Sequence, residues 1–206
     1  MKKIIFLFLT VLASVNICNS QEWMTSLDVA KRLAKVQNKM LFVIWEASLN
    51  YPYPVMVDDN KGDFIITNLN EVDSINRLIW KHFVPVKLSE YMYVELYNRI
   101  KLIDKPKYLN KLNDDGVKIM DINGNILNTK PFYAADDILN LSLFIKMYAL
   151  NTKFLKQALN NYSKHKNFFS SFALASKYVD YAIFVDKRIR FDIVEMANIY
   201  FNEAKW

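Results

Sequence analysis

The stretch MLFVIWEASLNYPYPVM, residues 40–56, contains the features that decide the fold. It opens with six apolar residues, 40–45, and a run of this length and composition is typical of a strand buried on both faces of a sheet. Glu46-Ala47-Ser48 then leads into Tyr51-Pro52-Tyr53-Pro54, where the closely spaced prolines predict a turn. We therefore expect a buried central strand that ends in a stiff aromatic loop.

Helical and extended patterns alternate on both sides of this strand. Trp23 to Lys39 has apolar residues at helical spacing, and Thr25 and Asp28 have the spacing of a capping box. The later predictions are, in chain order, a loop at 57–63, a helix capped by Asn70, a strand at 83–88, a helix capped by Ser89, a hairpin around Asn123-Gly124, and a helix from Asp136 or Asp137 to about Tyr148. This order predicts an α/β fold, with a mixed sheet covered by helices on both faces.

The first twenty residues have the features of a secretory signal peptide. Lys2 and Lys3 precede an apolar segment, 4–15, that is too short to span a membrane as a mature helix. The segment 18–20 ends in a small residue, so we expect cleavage before Gln21 and a secreted or periplasmic protein.

A lipoprotein is the alternative for this segment, with Cys18 as the lipidated first residue. Ile17 favours ordinary cleavage, because lipoprotein signals usually carry a small residue just before the cysteine. Cys18 is the only cysteine of the chain, so removal of residues 1–20 leaves no thiol and no disulfide.

The charge distribution argues against a nucleic-acid-binding surface. The formal net charge is +6, but lysines are interspersed with acidic residues and no block of like charge occurs. Such a pattern predicts a solvated basic surface. No stretch after residue 20 is long and apolar enough to predict a transmembrane helix.

The composition changes at residue 151, beyond which the chain contains neither glycine nor proline. Helical spacing predicts three helices, at about 152–164, 168–185 and 189–204. We expect a signal peptide at 1–20, an α/β domain at 21–150 and a helical extension at 151–206. The extension could be a cap packed on the domain or a binding surface similar to a tetratricopeptide hairpin.

Three local patterns, in this order, resemble the thioredoxin-like superfamily. They are the helix at 22–39 with the strand that follows it, the passage Asn76 to Leu88 that ends in FVPVKL, and the hairpin VKIMDINGNIL at 117–127. The resemblance covers residues 22–150. It implies a thioredoxin-like fold, a mixed central sheet flanked by helices, to which the all-helical C-terminal extension is added.

The resemblance also locates an active site that has lost its chemistry. The family's Cys-x-x-Cys motif aligns with residues 50–53, so Asn50 and Tyr53 occupy the positions of the two cysteines. The position of the family's cis-proline falls on Asp115 or Gly116. Thiol–disulfide exchange needs a thiolate to attack and a second thiol to resolve the mixed disulfide. We therefore predict that the protein is not a thioredoxin-type enzyme and has no catalytic residues.

The sequence predicts neither a cofactor nor a metal site. His82 and His165 have no motif-spaced partner, so we expect surface or helix-capping roles for both. The segment 58–63 resembles a calcium loop only superficially, because its glycine, Gly62, is at position five instead of six. We expect it to form a polar turn.

The remaining interpretation is a protein- or peptide-binding or scaffolding module of the cell envelope. In the family, the loop after the central strand lies at the substrate-binding surface. The candidate binding residues are therefore Tyr51, Pro52, Tyr53, Pro54, Asp115 and Gly116. The tyrosines could form an aromatic platform or fill the vacated site as core residues. Two other functions remain open: an accessory of a redox system that uses a partner's cysteines, and a lipid-anchored envelope protein.

Overall fold

The computed structural model describes residues 22–59, 62–70, 73–102, 106–113, 116–128 and 138–204. Its helices are α1 (Leu27–Gln37), α2 (Asp73–His82), α3 (Glu90–Leu102), α4 (Pro106–Asn113), α5 (Leu141–Tyr148), α6 (Lys156–Lys164), α7 (Phe168–Tyr181) and α8 (Arg190–Glu203). Its strands are β1 (Leu41–Trp45), β2 (Pro54–Asp58), β3 (Phe64–Asn68), β4 (Val84–Leu88), β5 (Lys118–Met120) and β6 (Leu139–Asn140). The fold is α/β, as the sequence predicts.

The predicted central strand is confirmed as β1. It pairs in parallel with β4 on one side and antiparallel with β5 on the other. An isolated parallel bridge between Met24 and Val86 extends this sheet beyond β4, and an antiparallel bridge between Met120 and Ile126 extends it beyond β5. The four residues 41–44 are fully buried, because helices and the rest of the core cover both faces of the sheet.

A second small sheet shortens the predicted loop at 57–63, because β2 extends through Asp58 and β3 begins only at Phe64. Strand β2 lies in its centre, antiparallel to β3 and parallel to β6. The backbone N–H of Asp59 donates to the carbonyl of Asp63 at 3.0 Å and closes the hairpin between β2 and β3. The polar residues at 58–63 thus mark only the turn and the strand ends, while the apolar residues on either side form the strands.

Helix α1 begins four residues later than predicted. Its cap is Ser26, whose Oγ accepts a hydrogen bond from the backbone N–H of Val29 at 3.4 Å. The predicted capping box of Thr25 and Asp28 is therefore wrong by one residue. The preceding chain is extended, because the backbone of Met24 accepts a hydrogen bond from Lys87 and donates one to the carbonyl of Pro85.

Helix α5 also begins later than predicted. Asn140 caps it, and its Oδ1 accepts a hydrogen bond from the backbone N–H of Leu143 at 2.9 Å. The predicted starting residues, Asp136 and Asp137, lie outside the described residues. The helix ends at Tyr148, as predicted.

An aromatic cluster forms the centre of the core. The ring centroid of Phe42 lies 5.6 Å from that of Phe83 and 6.0 Å from that of Phe144, which joins β1 to α5 and to the residue just before β4. Trp23 packs edge-on against Phe42 at 5.6 Å, and its indole N–H donates to Asn76 Oδ1 at 2.8 Å. These contacts hold the extended segment before α1 against the core.

The three predicted C-terminal helices are confirmed as α6, α7 and α8. The aromatic residues of α7 and α8 are divided between buried and exposed positions. Tyr178 and Tyr200 are buried, whereas Phe172 is 49% exposed and Phe191 is 70% exposed. The helical spacing of these residues does not distinguish the buried face from the exposed one.

Candidate functional site

The loop at the carboxyl end of β1 is short and well fastened. Residues Glu46–Leu49 form a single 3-10 turn, and the backbone N–H of Asn50 donates to the carbonyl of Ala47 at 3.1 Å. The side-chain amide of Asn70 donates to the carbonyl of Leu49 at 3.2 Å. The end of the loop is thereby tied to the chain that follows β3.

The two tyrosines of this loop occupy different environments. Tyr51 is 76% exposed. Tyr53 is half-buried and packs against the hydrophobic core, and its hydroxyl lies below the surface. The backbone carbonyl of Tyr53 accepts a hydrogen bond from the backbone N–H of Leu69 at 3.0 Å. Pro52 is exposed beside Tyr51, and Pro54 begins β2. The loop therefore presents one aromatic ring to solvent and uses the other for packing.

The structure brings only part of the predicted site together. Asn50 is exposed at the end of the 3-10 turn, next to Tyr51. In the pairing of β1 with β5, Val43 lies opposite Lys118, and continuing this register places Gly116 opposite Trp45 at the base of the loop. Gly116 is buried, and its carbonyl accepts a hydrogen bond from Lys118 Nζ at 2.9 Å. Asp115 lies outside the described residues.

Strand β3 carries the most exposed apolar segment near this loop. Phe64, Ile65 and Ile66 are 59%, 57% and 61% exposed, so apolar side chains project from both faces of the strand. This segment is not among the candidate binding residues predicted from the sequence. Its available signal was the run of bulky and β-branched residues at 64–67, which follows a glycine and is typical of a strand.

The outer edge of β3 offers backbone hydrogen-bonding groups. β3 is the terminal strand of its sheet, and no strand within the described part of the chain pairs with its outer side. Hydrogen bonds join residue 59 to 63 and residue 69 to 53 across the hairpin. Because paired residues of an antiparallel hairpin alternate in orientation, residue 65 faces β2, whereas the N–H and C=O groups of Phe64 and Ile66 point away from it.

A cavity of about 370 Å³ opens between β2, α2 and α5. Its lining consists of Val57, Asp58, Ser74, Ile75, Leu78, Ser142 and Ile145. The backbone N–H of Asp58 donates to Ser142 Oγ at 2.9 Å, which joins the hairpin to α5 at this point. Aliphatic side chains, two hydroxyl groups and one carboxylate line this cavity, and such a lining suits an apolar side chain of a partner.

A buried carboxylate, Asp121, organises the hairpin that follows β5. It is 1% exposed. It accepts five hydrogen bonds, from the backbone N–H groups of residues 123 and 125, the Asn125 amide, and the hydroxyls of Tyr178 and Tyr200. Gly124, with φ of +87°, completes a three-residue hairpin loop and adopts the left-handed conformation that this loop type requires.

This network joins the helical segment to the hairpin. The rings of Tyr178 and Tyr200 stack at 5.5 Å with an interplanar angle of 7°, which joins α7 to α8 directly over the carboxylate. Burial, followed by the charge of Asp121, raises the pKa of both tyrosines well above the ordinary value of 10. The enclosed hydroxyls are therefore neutral hydrogen-bond donors, and the network has a structural role.

The histidines have the peripheral positions that the sequence predicts. His82 ends α2, and burial, followed by the charges of Lys81 and Lys39, lowers its pKa below the ordinary value. His165 caps the end of α6 through its backbone N–H. Within the ranges that the structure describes, no three histidine, cysteine or acidic residues are grouped to hold a metal ion, and no helix is both long and apolar enough to cross a bilayer.

Comparisons with known proteins do not place the chain in a family. No protein-family model matches it, and neither the curated proteins nor the solved structures provide a match.

Proposed function

We propose that this chain is an exported, non-catalytic binding protein of thioredoxin-like architecture that holds an extended peptide segment of a partner protein along the outer edge of β3. The observation that carries the proposal is the edge itself. Three successive apolar residues of β3 are each more than half exposed, next to outward-facing backbone groups.

The arrangement of the first sheet supports the thioredoxin-like part of the proposal. β1 is buried, is parallel to one neighbour and antiparallel to the other, and ends in the loop that contains Asn50 and Tyr53. The hairpin after β5 and the helices around the sheet agree with the mixed sheet that the resemblance implies. Neither Asn50 nor Tyr53 can form a disulfide, and we infer that the loop contributes to binding through the exposed ring of Tyr51.

Addition of a strand to β3 would satisfy the outward N–H and C=O groups of Phe64 and Ile66. An added strand receives its affinity from main-chain hydrogen bonds and its specificity from alternate side chains. Exposed apolar edge strands otherwise promote aggregation, and natural proteins usually protect them with charges or a covering element. A bound partner strand would provide this protection.

The chemistry of the hairpin defines the peptide. Its apolar side chains favour a peptide with alternating aliphatic or aromatic residues. The sequence 58–63 contains three carboxylates, Asp58, Asp59 and Asp63, and one lysine. A basic residue in the peptide near this turn would therefore be favoured electrostatically. Tyr51, at the opposite end of the hairpin, adds an exposed aromatic contact.

A selection from displayed random peptides tests the proposal. Ile66→Pro removes one outward N–H from the edge but leaves the hydrogen bonds to β2 in place, because residue 66 does not face β2. Val36→Ala, at an exposed residue of α1, is the control substitution. We expect extended apolar peptides with a basic residue to bind the native protein and the control, and to bind the Ile66→Pro variant at least tenfold more weakly. Equal binding to all three proteins would overturn the proposal, as would pairing of two copies of the chain through β3 without peptide.

A further inference from the structure

The turn between α6 and α7 carries exposed aromatic rings beside basic residues. Phe168 is 48% exposed and Phe169 is 79% exposed, and their ring centroids lie 5.4 Å apart. Lys164, His165 and Lys166, which directly precede the turn, are all exposed. We call residues 164–169 the basic aromatic turn.

The rings continue onto one side of the helical segment. Phe168 stacks on Phe172 with ring centroids 6.0 Å apart, and Phe172 contacts Phe201 of α8 at 5.6 Å. Phe172 is itself 49% exposed. The result is a connected aromatic surface at one end of α7, and its most exposed member, Phe169, lies on the turn.

The turn has a defined conformation. Asn167 caps α7 in a capping box with Ser170. The Asn167 side chain accepts a hydrogen bond from the backbone N–H of Ser170 at 3.0 Å. In return, Ser170 Oγ accepts one from the backbone N–H of Asn167 at 3.1 Å. The Ser170 hydroxyl also donates to the carbonyl of His165. These bonds fix the backbone that presents the phenylalanines, so little conformational entropy would be lost on binding.

The charge around the turn is positive. Residues 138–179 contain six lysines and no aspartate or glutamate. Lys35 of α1 reaches this region through a hydrogen bond to Ser163 Oγ at 2.8 Å. Glu203 of α8 is an acidic residue near this region, and its carboxylate accepts a hydrogen bond from the hydroxyl of Tyr162. Lys166 Nζ lies 5.2 Å from the centroid of the same tyrosine ring.

We propose that the basic aromatic turn docks the protein onto the surface of an anionic phospholipid bilayer. Exposed aromatic rings bind at the headgroup level of a membrane, and lysines beside them are attracted to anionic lipids. A protein partner would instead be expected to accept such rings in a pocket with acidic residues around it. Exposed rings flanked by three exposed basic side chains on one short turn suit the continuous anionic surface of a bilayer. This site is separate from the β3 edge.

Vesicle co-sedimentation tests the proposal, with the protein purified as the producing cell processes it. The probes are vesicles of phosphatidylcholine alone and vesicles with about one third phosphatidylglycerol. We expect binding to the anionic vesicles only, weakened by added salt. Lys164→Gln with Lys166→Gln should weaken binding about 25-fold, since each lysine near such a surface contributes about fivefold. Phe169→Ser should weaken it about tenfold through lost apolar contact.

Matched substitutions away from the turn provide the controls. Tyr91→Ser replaces a ring that is 78% exposed on α3, and Lys81→Gln with Lys101→Gln removes two exposed lysines. All variants share the same N-terminal segment, so that segment cannot cause a difference in vesicle binding between them. Thermal melting establishes that each variant is folded. Equal weakening by turn and control substitutions would overturn the proposal. The proposal would also be wrong if the native protein did not bind anionic vesicles. It would equally be wrong if the native protein bound no vesicles but bound another protein through Phe169.

Discussion

Tyr200 donates a hydrogen bond of 2.5 Å to the carboxylate of Asp121, across 79 positions of sequence. Tyr200 also accepts hydrogen bonds from the side-chain amides of Asn123 and Asn125, at 2.7 and 2.8 Å. The hydroxyl is thus both donor and acceptor in a network that joins α8 to the hairpin after β5. The C-terminal helices are held to this hairpin by specific polar contacts in addition to apolar packing.

Loss of this network should destabilise the fold. We expect Tyr200→Phe to lower the free energy of unfolding by about 1.5–3 kcal/mol, the range for a hydrogen bond to a charged group. Asp121→Ala should cost about 3–5 kcal/mol, because it leaves several buried donors without an acceptor. Urea denaturation followed by circular dichroism measures both values. The control is Asp180→Ala, which removes an exposed carboxylate paired with Lys177 and should change stability by less than about 0.5 kcal/mol. Equal stability of Tyr200→Phe and the native protein would contradict this role.

Stability should also fall at high pH. The pKa values of Tyr178 and Tyr200 are raised in the folded state, so the unfolded chain releases these protons first as the pH increases. The neutral tyrosines make their full contribution to the free energy of unfolding below about pH 10, which is their pKa in the unfolded chain. This contribution decreases as the pH rises above that value. Each tyrosine should lower the unfolding free energy by about 1.4 kcal/mol per pH unit above that point.

Urea unfolding at about pH 8 and about pH 11 measures this dependence. Tyr178→Phe should have a shallower decrease than the native protein, whereas Tyr91→Phe, which changes an exposed ring, should leave the decrease unchanged. The explanation would be wrong if the Tyr178→Phe variant lost as much stability as the native protein between these two pH values.

The exposed and packed tyrosines of the loop should separate binding from stability. Tyr51→Ala removes a side chain that is 76% exposed, so we expect a change in stability below about 0.5 kcal/mol and a loss of peptide affinity of about 2 kcal/mol. Tyr53→Ala removes a half-buried ring packed on the core and should cost about 2–3 kcal/mol of stability. Thermal melting and titration with a selected peptide measure the two effects. A Tyr51→Ala variant with native affinity would exclude this residue from the binding site.

The purified protein should not reduce or isomerise disulfides. Residues 21–206 contain no cysteine, and neither Asn50 nor Tyr53 can form a mixed disulfide. Turnover of a model disulfide is the measurement, with a preparation from a host that lacks its own oxidoreductases. Turnover above the background of that host would contradict the prediction.

The sequence predicts elements whose signal is local. β1 is a continuous apolar run, α3 has Ser89 before a regular apolar spacing, and the hairpin contains Asn123-Gly124, so each of the three was found. The predicted start of α1, at Trp23, is too early because Met24 pairs with Val86 and is therefore extended. A tertiary contact with β4 determines where the helix begins.

The candidate sites depend on information that a local pattern lacks. The run at 64–66 is apolar, and apolar runs are usually buried. Its exposure arises because β3 pairs with β2 on one side only, within the described part of the chain, and the local sequence does not indicate this. Asp121 has the sequence context of an ordinary turn residue. Its role depends on two tyrosines more than fifty positions away. Phe169 likewise has the same spacing signal as the buried aromatic residues of α7.

Amide hydrogen exchange of β3 tests the central proposal most directly. We expect the N–H groups of Phe64 and Ile66 to exchange readily in the free protein, because they point away from β2, and to become protected at least tenfold when a selected peptide is added. The N–H of Ile65, already bonded within the hairpin, should change little and serves as the internal reference. Protection confined to other parts of the protein, with Phe64 and Ile66 unchanged at saturating peptide, would contradict binding by strand addition.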